Sequence, residues 1–588
     1  MKNNPVIGIR RIIDGRKVVR GELEGQTMQM AQAAKELIEK NIRYADGTPV
    51  ECIISDGSIS NGEEAARCAA QFSRQNVCAT LSVTPCWCFG SETMDTDPLT
   101  VKAVWGFNGT ERSGAVYLAA VMAAHNQRGL PAFSIYGKNV QDKEDESIPE
   151  DVQEKILRFA RCAVTVGAMR NKSYVSIGGV SMGIAGSFLD PQIMQDYFGI
   201  RADWVDMSEV SRRLKNEIYD KEEFRRAIQW TKENCPEGYD MNPPELQHTK
   251  EQKDEEFATI VKMTMIIRDI MWGNEALRKE GWEEEALGRN AIAAGFQGQR
   301  MWSDWLPNAD FCEAILNTTF DWNGKRQPII LATENDNCNG MPMLFSNLLT
   351  GKASMFADVR TYWDPEAIER VTGWKPEGLA QNGFIHMKNS GAACLDASGA
   401  CKADNGSGIM KNWWDMTQED IDACLKATDW CAAHQGYFPG GGFSSHFTTR
   451  AQMPLTMVRL NIVSGLGPTL QIVEGWSVNV PDYVCKAIDE RTDSTWPTTF
   501  FVPRLDENGP CSSVYELMYR WGANHAAFAY GHIGEDLITL ASMLRIPVSL
   551  HNVDPGVLFR PAAWNAFGTA DPEGADYRAC KCYGPLYG

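Results

Sequence analysis

The stretch Arg326–Asn337 reads RQPIILATENDN. Pro328–Ala332 is a short apolar run, the pattern of a buried strand. It breaks into Thr333-Glu334-Asn335-Asp336-Asn337, polar groups that cannot enter a core without partners. A carboxylate at the carboxyl end of a buried strand faces the crevice in which open α/β sheets hold their ligands. Ala353–Trp363 repeats the arrangement, with an apolar run through Met355-Phe356-Ala357 and then Asp358 beside Arg360. If the two strands are neighbours, Glu334 and Asp358 face each other across one crevice. Two fixed carboxylates can move protons, hold a hard metal ion, or do both.

Upstream of this stretch, strand and helix patterns alternate. Val6–Ile9, Cys52–Ser55, Ala79–Val83 and Ala132–Tyr136 read as strands, with helices over Gln26–Lys40, Glu63–Phe72 and Gly114–Asn126. Such alternation implies a parallel sheet with both faces covered. The charged segment Gly137–Glu150 reads as a linker, and Val152–Met169 as a helix strapping a first domain to a second. Tyr174–Ile177 opens the second unit and runs into Gly178–Gly186, which lacks the G-x-G-x-x-G spacing of a dinucleotide loop. Glu255–Lys279 and Glu283–Ala294 read as helices leading to the loop Gly295–Arg300. After Asp358 the texture becomes richer in β-branched residues, with strands at Phe384–Lys388, Leu455–Val463, Thr469–Val473 and Pro547–His551. Ser513–Trp521 and Glu535–Leu544 are helices. The expected fold is therefore α/β, with two N-terminal α/β domains carrying parallel sheets (1–170 and 171–350). A more β-rich α+β domain follows (351–588).

A chain of 588 residues exceeds what one core can organise. Its formal net charge of −19 argues against a nucleic-acid or anionic-membrane partner. No run reaches the roughly eighteen apolar residues of a membrane helix, because Lys262, Arg268 and Asp269 interrupt the nearest approach, Val261–Trp272. The opening MKNNPVIGIRRIIDG lacks the apolar core of a secretory signal, so a cytoplasmic location is expected. There the seventeen scattered cysteines are reduced thiols. The pairs Cys86-Trp87-Cys88 and Cys580-Lys581-Cys582 do not have zinc-knuckle spacing.

Of the eight histidines, His525 stands out. It lies in Trp521-Gly-Ala-Asn-His, where small residues permit close backbone approach and Asn524 offers a polar neighbour. Two carboxylates and one imidazole, with positions left for water or substrate, suit a divalent ion such as Mn²⁺. Most of the eighteen tryptophans are core or interface residues, but Trp496 in Asp493-Ser-Thr-Trp-Pro can stack on the apolar face of a sugar. Gly440-Gly441-Gly442, preceded by Tyr437, is a loop without the strand and lysine of a phosphate cradle.

ATEND around Glu334, FADVRTYW around Asp358 and WGANH ending at His525 resemble the L-fucose isomerase family. So do TPCWC, WGFNGTER, GGVSMGIAGS, AIAAGFQGQR, EGWSV, STWPTT and the terminal YRAC and YGPLY. The resemblance extends over essentially the whole chain; Arg11 and Phe443 stand where relatives carry proline and tyrosine. It implies an Mn²⁺-dependent aldose–ketose isomerase with the metal on Glu334, Asp358 and His525, the two carboxylates also serving as the acid/base pair. The sugar contacts it implies are Arg16, Trp87, Gln297, Ser390, Tyr437, Trp496 and Asn524. It further implies a homohexamer in which Arg16 and Trp87 act on a neighbouring subunit's site. The substrates expected are L-fucose and L-fuculose, together with D-arabinose and D-ribulose. A metal-dependent aldolase or lyase of sugars or sugar acids is the alternative use of the same carboxylate pair.

Overall fold

A computed structural model describes residues 4–388, 392–403 and 405–588. Its first sheet contains β1 (Val6–Arg11), β2 (Cys52–Ile54), β3 (Val77–Thr84), β4 (Val101–Gly106) and β5 (Ala132–Tyr136). All neighbours are parallel, in the order β2-β1-β3-β4-β5. The strands are almost wholly buried because helices cover both faces, so they read as continuous apolar runs rather than alternating ones. The strand order reverses between β1 and β3, which opens a crevice at their carboxyl ends.

The helix Glu150–Met169 leaves this domain and packs against three others, Lys17–Asn41, Asn337–Thr350 and Gly534–Leu544. Arg161 pairs with Asp536 at 2.8 Å, and Arg158 pairs with Glu535. It therefore fastens the first domain to the C-terminal part as well as to the second, where the sequence pointed only to the second.

The second sheet contains β6 (Ser173–Ile177), β7 (Arg201–Val205), β8 (Ala291–Phe296) and β9 (Ile330–Ala332). It is parallel, in the order β9-β8-β6-β7. β8 corrects the expected helix Glu283–Ala294. Its sequence AIAAGF has high helix propensity, but the segment is inserted between β6 and β9, and there ladder hydrogen bonds and burial override propensity. Turns occupy most of 281–287 instead.

Beyond the second sheet lie β10 (Met355–Trp363), β11 (Phe384–Lys388), β12 (Pro454–Val463), β13 (Gly467–Ser477), β14 (Thr498–Pro503), β15 (His525–Tyr530) and β16 (Val548–His551). They run β12-β15-β10-β11-β14-β13, and β13 pairs back with β12, so six antiparallel strands close into a barrel. β16 adds to β13 in parallel. The barrel interior and the helices around it form a separate apolar core that includes Leu455, Met457, Phe501 and Phe528. Closure removes the free edges that long antiparallel strands would otherwise expose.

β9 and β10 are thus not neighbours. The two carboxylates come from different sheets, joined by the helix Asn337–Thr350, which packs on both β9 and β12. Among the described residues no helix is long and apolar enough to cross a membrane.

Candidate active site

Three strand ends of the second sheet meet the rim of the barrel. After β9 the chain makes a single tight turn through Thr333–Asn335, where Glu334 and Asn335 have φ of 56° and 51°. That left-handed backbone disfavours any side chain beyond glycine, and such strain concentrates at functional sites. The turn is over-determined by its contacts. Thr333 donates to Glu313 at 2.8 Å, and the Asn335 amide donates to the carbonyl of Gly179 at 3.1 Å. Gly178, after β6, has φ 87°, and a Cβ there would lie 2.7 Å from the Gln297 carboxamide oxygen. Only glycine lets the β6 and β8 ends approach this closely.

In the barrel, Asp358 of β10 and His525 of β15 are directly paired across the ladder. His525 Nε2 lies 3.4 Å from Glu334 Oε2 and 3.5 Å from Asp358 Oδ1. The structure therefore brings the three expected ligands together, with His525 2% exposed and the Asp358 side chain 18% exposed at the opening. Asn524 places its amide nitrogen 3.0 Å from the same Nε2. On the far side of the ring, His525 Nδ1 is 2.6 Å from Asp336 Oδ2, which also receives Arg459 at 2.6 Å.

The electrostatics call for a positive charge at Nε2. Burial opposes an imidazolium at His525, but Asp336, Glu334 and Asp358 outweigh it and push the group up to about 10. Asp358 is pushed up to about 6 by burial and by the nearby Glu334, with His525 and Arg360 acting in the opposite sense. A proton or a metal ion on the imidazole would meet that demand.

Among the described residues no three His, Cys, Asp or Glu side chains already stand closed around one point as a metal cage. The donor set nonetheless fits a divalent ion: two carboxylate oxygens and an imidazole nitrogen converge, and the ring's other nitrogen is held by a carboxylate, as metal-ligating histidines usually are.

The expected sugar contacts divide into groups. Trp496 is buried, and the Arg360 guanidinium lies over its ring at 5.1 Å while bonding Asp358 at 3.2 Å. Tyr437, half exposed, packs on Trp496 with ring centres 5.9 Å apart and on His434 at 4.8 Å, so the aromatics continue the wall from Asp358 outward. Gln297 is buried at the end of β8, where its side-chain oxygen accepts from the Gly179 amide at 2.7 Å. Gln299, which the sequence reading passed over, approaches Glu334 instead, with its amide nitrogen 3.4 Å from Oε1. Arg16 and Trp87 follow β1 and β3, flanking the crevice of the first sheet. Arg16 is paired with Asp14 at the start of the helix Lys17–Asn41, Trp87 is 38% exposed, and no described contact joins either to Glu334, Asp358 or His525. Ser390 lies outside the described residues.

Sequence reasoning also left Asp336, Arg459, Asp310 and Glu313 without roles. Asp336 was visible as part of the polar cluster after β9. Arg459 is embedded in an apolar strand pattern, where a lone arginine is itself a signal that a buried anion waits for it. Asp310 and Glu313, on the helix Asp310–Asn317, are both buried close behind Glu334.

Comparison with known proteins agrees along the full length. The family models described as the first N-terminal, second N-terminal and C-terminal domains of L-fucose isomerase match residues 4–171, 172–351 and 387–552. L-fucose isomerase of Bacteroides fragilis (strain YCH46) is 58% identical over 590 residues, covering 100% of both chains. That of Vibrio vulnificus is 56% identical over 588 residues, again covering 100% of both. That of Clostridium perfringens is 56% identical over 596 residues with the same coverage. Two parallel sheets, a closed barrel and these matches define an aldose–ketose isomerase. The chain belongs to the L-fucose isomerase family.

Proposed function

We propose that this enzyme interconverts L-fucose and L-fuculose, and also D-arabinose and D-ribulose, by moving a proton between C1 and C2. The observation that carries this reading is the convergence of Glu334 and Asp358 on His525 Nε2, 3.4 and 3.5 Å away. Relatives bearing the name L-fucose isomerase over the whole length support the choice of sugar. The ligands of an Mn²⁺ ion would be Glu334, Asp358 and His525. Bound there, a divalent cation supplies Lewis-acid stabilisation of the negative charge that develops on adjacent sugar oxygens.

A C–H beside a carbonyl is a weak acid, so its removal needs a base already in position. Glu334 is fixed by its strained turn, and Asp358 by strand pairing and Arg360, so neither has to be ordered when the sugar arrives. One carboxylate takes the proton from one carbon and delivers it to the neighbouring carbon, while the other moves the hydroxyl proton from one of the two adjacent oxygens to the other. A positioned pair of this kind contributes about 10²–10⁴-fold. Trp496 and Tyr437 offer faces to the apolar side of the sugar, while Asn524, Gln297 and Ser390 offer hydrogen bonds. Arg16 and Trp87, exposed and without a described contact to these carboxylates, would serve the site of a neighbouring subunit in a homohexamer. A cytoplasmic location suits an enzyme of free sugars.

Assay of ketose formation from a panel of aldoses, with EDTA and after Mn²⁺ return, tests the reading. Activity should vanish with EDTA and recover with the ion, and L-fucose should be converted with no change in carbon number. In D₂O, deuterium should enter the product at the migrating position; full retention of the original hydrogen would mean a hydride shift. Cleavage to smaller fragments would mean an aldolase.

A further inference from the structure

We propose that Asp336, braced by Arg459, is the positioning residue that fixes the His525 ring and thereby sets how tightly a divalent ion is held at the carboxylate pair. The inference rests on the metal-centred reading above and extends it to residues behind the ligands.

The geometry is closed on every side. Asp336 is 0% exposed, Arg459 1% and His525 2%. Oδ1 of Asp336 accepts the backbone amide of Asn339 at 3.0 Å, capping the helix Asn337–Thr350. Oδ2 accepts both Arg459 and the His525 Nδ1–H, each at 2.6 Å. The helix N-terminus and the guanidinium both favour the anion, so Asp336 remains an acceptor and Nδ1 must carry the hydrogen. This leaves Nε2 as the nitrogen that faces Glu334 and Asp358. A rotation of the ring would break a buried charge-assisted bond, which makes the orientation expensive to lose. Arg459 in turn donates to the Gly186 carbonyl at 3.1 Å, so the brace is anchored in the glycine-rich loop after β6 as well as in the barrel. His525 is therefore held from the second domain although it is carried by the third.

Replacement of Asp336 by Asn isolates the effect. Asparagine caps a helix as well as aspartate does, so the Asn339 contact can persist. The carboxylate that Arg459 and His525 share is lost. Mn²⁺ binding to full-length, EDTA-stripped protein, read by electron paramagnetic resonance of the free ion, is the measurement. Asp336→Asn is expected to weaken binding by about 10–100-fold, the range for carboxylates behind metal-ligating histidines. The KM for sugar at saturating Mn²⁺ should hardly move. His525→Ala serves as the reference for the underlying reading. If His525→Ala binds Mn²⁺ as tightly as the parent, the ion is not at this site and the metal-centred reading fails. If His525→Ala loses affinity while folded Asp336→Asn keeps it, Asp336 is only a helix cap and the positioning role is overturned. Should Asp336→Asn not fold, Arg459→Lys takes its place, since lysine keeps the charge but cannot reach Asp336 and Gly186 together. A loss of about threefold or more is then expected, and unchanged affinity overturns the proposal.

Discussion

Two groups of buried carboxylates flank Glu334, and they are shifted in opposite directions. On the His525 side, Asp336 is fully enclosed, and burial alone would push its carboxyl up. Arg459 and His525 more than offset that and hold it below the usual carboxylate range. Behind, Asp310 and Glu313 are as deeply enclosed but have hydroxyl partners, Ser444 at 2.7 Å and Thr333 at 2.8 Å. Burial drives both well above the usual range. Asp310 and Glu334 add to the rise at Glu313, and Asp493 and Glu334 add to it at Asp310. Similar burial thus leaves a carboxyl lowered where a guanidinium and an imidazole are supplied, and raised where only hydroxyls are. Glu334 lies at the boundary, beside Asp336 and within electrostatic reach of Asp310 and Glu313.

The largest effect should come at that boundary. Glu334→Gln or Asp358→Asn should lower turnover by about 10⁴-fold, the upper end for a positioned acid/base group, read as the initial rate of ketose formation. Either variant retaining a tenth of parental activity would remove that residue from the acid/base pair. The next effect separates the two buried groups directly. Asp336→Asn leaves two buried cations without their anion and should destabilise the fold by about 3–5 kcal/mol. Asp310→Asn and Glu313→Gln exchange one neutral hydrogen-bonding group for another and should each cost no more than about 1 kcal/mol. Urea unfolding of the three variants makes the test, and equal losses at Asp310 and Asp336 would mean that both are ionised.

The contrast also marks what a sequence can convey. Glu334, Asp358 and His525 were legible because each closes a recognisable local pattern, an apolar strand run or a small-residue turn ending in a polar group. The two parallel sheets and most barrel strands were legible for the same reason, since periodicity and β-branched content are local. The pairing of β10 with β15 was not, and it is this pairing that sets Asp358 opposite His525. Neither was the strand Ala291–Phe296, whose alanines favour a helix until two neighbouring strands impose the ladder. Asp336, Asp310 and Glu313 look alike in the sequence. Their charge is decided by which side chain arrives from far away, Arg459 across 123 positions in one case and Ser444 across 134 in the other. Gln299 was missed because Gln297, two residues earlier, presented the same chemistry.

The smallest effect is a slope. Asp310 and Glu313 have carboxyls raised in the folded protein, so folded and unfolded chains bind different numbers of protons above the ordinary carboxylate range of about pH 4. Over that interval the folded chain holds protons that the unfolded chain has released, and stability must fall as pH rises. The contribution is whole below the unfolded pKa and is lost progressively until the folded pKa is passed. The double variant Asp310→Asn, Glu313→Gln has no such protons to hold, so its stability should decline less steeply as the pH rises above the ordinary carboxylate range. The parent and the double variant should therefore converge, or cross, as the pH is raised. Urea midpoints across that rise in pH measure it. Parallel curves would show that both acids ionise normally in the folded chain, and that Glu334 has charged groups on both sides.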